Sequence, residues 1–150
     1  MTTRSRLAAP ANILRPTPEA WPDMGVYQLW IRVQRDLQLT VGCLGRFRLA
    51  AGLYVYTGRA TRGLRARVYR HVLGGRPRHW HIDDLLASRH ARLTRAVLAG
   101  RDPTDECAVN QRMAAAGTCP IPHFGASDCR HGCRAHLWRV PASQLSDELV

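Results

Sequence analysis

The chain has 150 residues, 45% of them hydrophobic, which suits one domain with a proper buried core and fits a globular protein, not a disordered one. All 22 basic residues are arginine and stand against 11 acidic ones; the resulting formal net charge of +11, with arginines gathered between Arg59 and Arg78, favours nucleic acid as the partner over a merely solvated basic surface. No uninterrupted apolar run reaches the ~18 residues of a membrane span, so no membrane partner is expected, and an odd count of five cysteines points to reduced thiols in the cytoplasm and not to a disulfide framework.

Taken in chain order, residues 1–23 carry Pro10, Pro16, Pro18 and Pro22 and no apolar h-region, and read as a flexible leader without a signal peptide. GVYQLWIRV (25–33) is rich in β-branched and aromatic residues and predicts a strand. LQLTVG (37–42) alternates Leu37, Leu39 and Val41 with Gln38 and Thr40 and predicts a second; LYVYTG, after Gly45 and Gly52, predicts a third. Their closeness in sequence predicts an antiparallel meander. LRARVYRHV then carries Leu64, Val68 and Val72 as one helical stripe, stopped by Gly74 and Gly75. HWHIDDLLA (79–87) predicts a short helix and ARLTRAVLA (91–99) a further strand. Asp102 before Pro103 starts a helix that runs through ECAVNQRMAAA and ends at Gly117. TCPIPHFGASDCRHGC is a loop, and HLWRV predicts the last strand. The class is α+β: a small antiparallel sheet flanked by about three helices, in a domain over 24–141 with a tail at 142–150.

Chemistry-bearing residues recur at telling positions. Arg67 and His71 are four apart and share a helix face. A turn at Gly58 brings the start of that helix beside the strand end carrying Tyr56, and pairing of the first strand beside it lets Tyr27 reach the same place. Glu106 and Asn110 are four apart on the third helix. Phosphodiester cleavage uses such parts: a base for water, a cation for the phosphate and a carboxylate for a metal. Each has a plainer reading by itself. A strand Tyr packs cross-strand neighbours, an Arg on a helix is solvated, a Glu at a helix start favours the dipole, and Asn110 is a polar helix residue.

Gly25-Val26-Tyr27 followed by Tyr56-Thr57-Gly58 resembles the two name motifs of the GIY-YIG nuclease superfamily. VGCLGRF, GLYVYTG, HWHIDDLL and FGASDC followed by Cys133 and HL are similar to one branch of it, over about residues 24–140. That branch is a domain of unknown function found by itself in bacteria and fused to a DNA glycosylase of the endonuclease III type in some archaea. The resemblance implies a three-stranded core, and the wide separation of Tyr27 and Tyr56 implies an added strand from LQLTVG. It implies that Tyr56 orients or deprotonates the attacking water, with Tyr27 positioning it, that Arg67 holds the scissile phosphate, and that Glu106 binds one Mg²⁺ or Mn²⁺. A free phenol, with a pKa near 10, is a poor base at neutrality, and an imidazole at the His71 position suits the task better. The superfamily's late Asn has no counterpart, and Ser127 and Asp128 are the candidates to replace it.

In HWHIDD, Trp80 is either core or a platform for stacking bases. His79 and Asp83 share a helix face that His81 does not, which disfavours a three-ligand site; His81 and Asp83 are expected to contact phosphate or support the active site. Arg59 and Arg62 are expected at the nucleic acid. In CRHGCRAH, Cys129, Cys133 and His136, with Cys119, His123 and His131 nearby, could make a zinc site, but the spacing is short of a standard finger and a loop of reduced thiols is the favoured reading. The expectation is a nucleic-acid-binding GIY-YIG-like endonuclease, acting on DNA sooner than RNA, in repair or processing. The alternatives are a non-catalytic nucleic-acid-binding module on the same fold and a zinc-stabilised interaction protein.

Overall fold

The computed structural model describes residues 12–74, 80–127 and 129–144. Along them run β1 (Leu14–Arg15), β2 (Gly25–Val33), β3 (Leu37–Val41), β4 (Gly45–Leu49), β5 (Gly52–Ala60), α1 (Leu64–Val72), α2 (His81–Leu86), β6 (Ala91–Gly100), α3 (Glu106–Ala116) and β7 (Leu137–Val140), with 3-10 turns at Pro18–Ala20 and Pro103–Asp105. Five strands form one sheet in the order β1-β6-β2-β5-β7, while β3 and β4 pair separately. The β1–β6 pair is parallel and the other pairs are antiparallel. The class is α+β, as the patterning predicts.

β2 is the central strand, and only Arg32 of its nine residues is exposed. Its near-continuous apolar run follows from cover on both faces of the sheet. Tyr27, Leu29 and Ile31, with Tyr54 and Tyr56 of β5, join the core that Leu64 and Val68 of α1 and Ile82 and Leu85 of α2 also enter. Trp30, Leu53, Val55 and Trp138 form a smaller cluster with Met113 and Ala114 of α3. Each fully buried Leu or Ile contributes about 1.5–3 kcal/mol relative to exposure, so these two clusters fix which way every strand residue points.

Three expectations are corrected. LQLTVG adds no strand to the main sheet; it pairs with GRFRL as a ribbon between β2 and β5, which pair directly with each other. The ribbon has one apolar side, Leu37, Leu39, Val41 and Leu49, and lays it on the larger core; the exposed arginines of GRFRL conceal that strand in the sequence. Second, the ordered fold begins upstream of residue 24. Leu14 and Trp21 are buried in the same core, and β1 extends the sheet alongside β6, so apolar anchors outweigh the prolines between them. Third, Asn110 is buried, not a plain polar helix residue. Its Nδ2 donates to the Ala135 carbonyl at 2.7 Å and its Oδ1 accepts from Trp138 Nε1 at 3.0 Å, tying α3 to the approach to β7.

Candidate active site and metal-ligand cluster

The register of β2 on β5 sets Tyr27 opposite Gly58 and Leu29 opposite Tyr56. Tyr27 and Tyr56 are therefore diagonal neighbours on one face, with ring centroids 6.3 Å apart. A Cβ at residue 58 would lie 2.6 Å from both Cζ and the hydroxyl of Tyr27. Glycine is what lets the Tyr27 ring cross over the neighbouring strand. Gly125, at a φ of +69°, admits the Tyr56 ring in the same way, since a Cβ there would meet Cε1 at 2.8 Å.

The helix stripe that brings Leu64 and Val68 inward also buries His71, while Val72 packs partly buried against the same core. His71 Nε2 is 3.1 Å from the Tyr27 hydroxyl. Its Nδ1 has no hydrogen-bond partner among the described residues and faces Asp83 Oδ1 at 3.5 Å, an ion-pair contact once the ring is protonated. Arg70 holds Asp83 at 3.2 Å, and Asp83 Oδ2 accepts from the Trp80 N–H at 3.0 Å. The result is a buried chain, Asp83–His71–Tyr27, beside Tyr56. Burial pushes both phenols above their usual range; Glu106 and Asp83 push the same way and Arg67 opposes them. Both hydroxyls hence keep their protons at neutrality, and the Tyr27 proton has an acceptor in reach at His71 Nε2.

Arg67 donates to the Arg59 carbonyl at 2.7 Å, and its guanidinium lies 4.9 Å from the centre of the half-exposed Trp80 ring; Arg70 lies 5.0 Å from it. Trp80 thus serves two guanidiniums and packs edge-on against His71. Arg59 Nε is 3.6 Å from Glu106 Oε1, and His136 Nδ1 is 3.6 Å from Oε2. Burial raises the Glu106 carboxyl, against the charges of His136, Arg59 and His131. Tyr27, Tyr56 and His71 are buried, whereas Arg59, Glu106 and Ser127 line an open cleft of about 640 Å³ with Arg130 and His131. Arg67 links the two through Arg59. His81 holds the loop instead of facing phosphate: its Nδ1 accepts from the Gly125 N–H at 2.8 Å and its ring packs on Phe124. Arg62 is exposed. Asp128, His79, Arg76 and Arg78 lie outside the described residues.

Cys107, Cys129, Cys133 and His136 come together, with their ligand atoms all within 4.8 Å of one another, a set that could hold a metal ion. All five cysteines are free thiols. Cys107 escapes a sequence reading because it stands on α3, far from the other three in the chain, and only the fold delivers it. Cys119 packs against the apolar core, and His131 lines the cleft.

No helix among the described residues is long and apolar enough to cross a membrane. Fold and site define an α+β domain in which a buried phenol–imidazole–carboxylate chain adjoins an arginine-lined cleft and a Cys₃His cluster. The chain belongs to the family described as domain of unknown function DUF123, whose model matches residues 26–150. No curated protein and no solved structure matches it.

Proposed function

We propose that the chain is a GIY-YIG-type endonuclease that binds nucleic acid and hydrolyses a phosphodiester with one divalent ion. The observation that carries this reading is the Asp83–His71–Tyr27 chain set beside Arg67 and Glu106. Tyr27 relays a proton: as its hydroxyl takes one from the attacking water it hands its own to His71 Nε2, so the raised phenol never has to stand as a phenolate. Asp83 stabilises the imidazolium so formed. Arg67 lowers both phenols and faces the phosphate with a planar fork of donors. Glu106 supplies one carboxylate in a cleft with room for a hydrated ion, where an oxygen ligand and retained waters suit Mg²⁺ or Mn²⁺, while Cys107 and Cys129 line its thiol side. Such an ion, when bound, neutralises charge building on the phosphate. The likeness to GIY-YIG nucleases, and the fusion of that branch to endonuclease III-type glycosylases in some archaea, support DNA as the substrate and repair or processing as the setting.

The test is a cleavage assay on duplex, nicked, branched and single-stranded substrates in Mg²⁺ and Mn²⁺. Metal-dependent strand scission of at least one supports the reading. Tight binding without scission assigns the fold to a non-catalytic nucleic-acid-binding module. Binding itself is expected to weaken steeply with salt, because Arg59 and Arg130 in the cleft displace counterions; each neutralised phosphate contributes a log–log slope of about −0.9 on B-DNA or −0.7 on a single strand. An anisotropy titration with a slope near zero would contradict a phosphate-binding cleft.

A further inference from the structure

We propose that Cys107, Cys129, Cys133 and His136 hold one zinc ion as a closed structural centre that fixes the first turn of α3 to the loop before β7. Three observations converge on it, none of them drawn from the nuclease reading.

The first is spacing. Cys107 Sγ and Cys129 Sγ are 3.6 Å apart. That is far from the about 2 Å of a disulfide. It is close to the about 3.8 Å edge of a tetrahedron with zinc–sulfur bonds of about 2.3 Å. The second is the state of His136. Its Nδ1 is 3.2 Å from the Thr57 carbonyl, which can only accept, so Nδ1 carries a proton and, in the neutral ring, Nε2 offers its lone pair. That Nε2 is buried and has no hydrogen-bond partner among the described residues. The Cys129 thiol beside the ring is the nearest candidate partner, and a metal ion would take up the lone pair and that sulfur together. A ligand histidine whose other nitrogen donates to a carbonyl is the usual outer-sphere arrangement of zinc sites.

The third is what the ion would hold. Residues 118–136 connect α3 to β7 with no helix or strand in the described part, longer than most loops in compact domains. The ligands come from three places: the first turn of α3, the loop, and the residue before β7. His136 is itself seated by its backbone, whose N–H donates to Phe124 at 2.8 Å and whose carbonyl accepts from Thr57 at 3.0 Å. Four protein ligands fill a tetrahedron and leave no open position, so the ion is a staple and not a catalyst. It also sets Glu106, the neighbour of Cys107, whose Oε2 lies 3.6 Å from His136.

Elemental analysis of the full chain purified from zinc-supplemented cells tests this without reference to cleavage. About one zinc per chain is expected. Cobalt added to chelator-stripped protein is expected to give thiolate-to-metal charge-transfer absorption and the visible bands of a tetrahedral ion. Cys107→Ser is expected to weaken metal binding at least 10-fold, since changes to outer-sphere partners already cost about that much. Cys43→Ser and Cys119→Ser, outside the cluster, are expected to keep the metal. Zinc below about one-tenth equivalent, together with an octahedral cobalt spectrum, would overturn the proposal, as would a Cys107–Cys129 disulfide in the protein as purified, before any chelator is added. If Cys107→Ser does not fold, the cobalt spectrum of the parent chain decides.

Discussion

Tyr27→Phe lowers single-turnover cleavage about 10²–10⁴-fold, the usual contribution of a positioned base, while the chain stays folded. The ring keeps its place over Gly58, and only the hydroxyl 3.1 Å from His71 is lost. His71 Nε2 is then buried without a partner, which costs about 1–3 kcal/mol of stability and lowers the melting temperature without abolishing the fold. His71→Ala brings a similar fall in rate, because the Tyr27 proton has lost its acceptor. The double variant is no slower than the slower single variant, since residues that act as a unit are not additive. Rapid-quench measurements at saturating protein check all three. Rates that multiply would show that Tyr27 and His71 act independently.

Gly58→Ala is expected to be nearly as damaging to cleavage and directly damaging to stability. The new methyl would sit 2.6 Å from Tyr27 Cζ and its hydroxyl, so the ring must move, and with it the contact to His71. Overpacking of this kind costs about 1–3 kcal/mol. A double-mutant cycle isolates the cause. With Tyr27→Leu in the background the methyl has less to displace, so the stability loss from Gly58→Ala shrinks, although cleavage does not return. An undiminished loss in that background, measured by denaturant unfolding, would mean that the glycine is needed for its backbone and not for the close approach of Tyr27.

Much of this architecture is legible in the sequence where one physical rule governs. β2, α1, α2, β6, α3 and β7 stand where patterning and helix punctuation predict them. Legibility fails where a distant contact decides. GRFRL shows the sequence reader mostly arginine and glycine, and its strand is revealed only by pairing with β3. Leu14 and Trp21 sit among prolines, yet the core draws them in. In the candidate site, the i, i+4 relation of Arg67 and His71 is visible, but their separate fates are not. His71 turns inward to Tyr27 and Arg67 outward to Arg59 and Trp80, because His71 continues the buried row of Leu64 and Val68 and Arg67 lies beside it. Cys107 carries no local signal, and the favoured reading of a plain thiol loop rested on the three ligands that the sequence shows near one another.

The central claim is that Tyr27, Arg67, His71 and Glu106 serve one phosphodiester. Single-turnover cleavage by the parent chain, Arg67→Ala and Glu106→Gln, side by side at saturating binding in Mg²⁺, tests it most directly. The account predicts a parent rate that chelation abolishes. It predicts variants that still bind nucleic acid but cleave about 10²–10³-fold more slowly, by analogy with the loss of one preorganised charge-stabilising donor. Two variants that cleave as fast as the parent would contradict it.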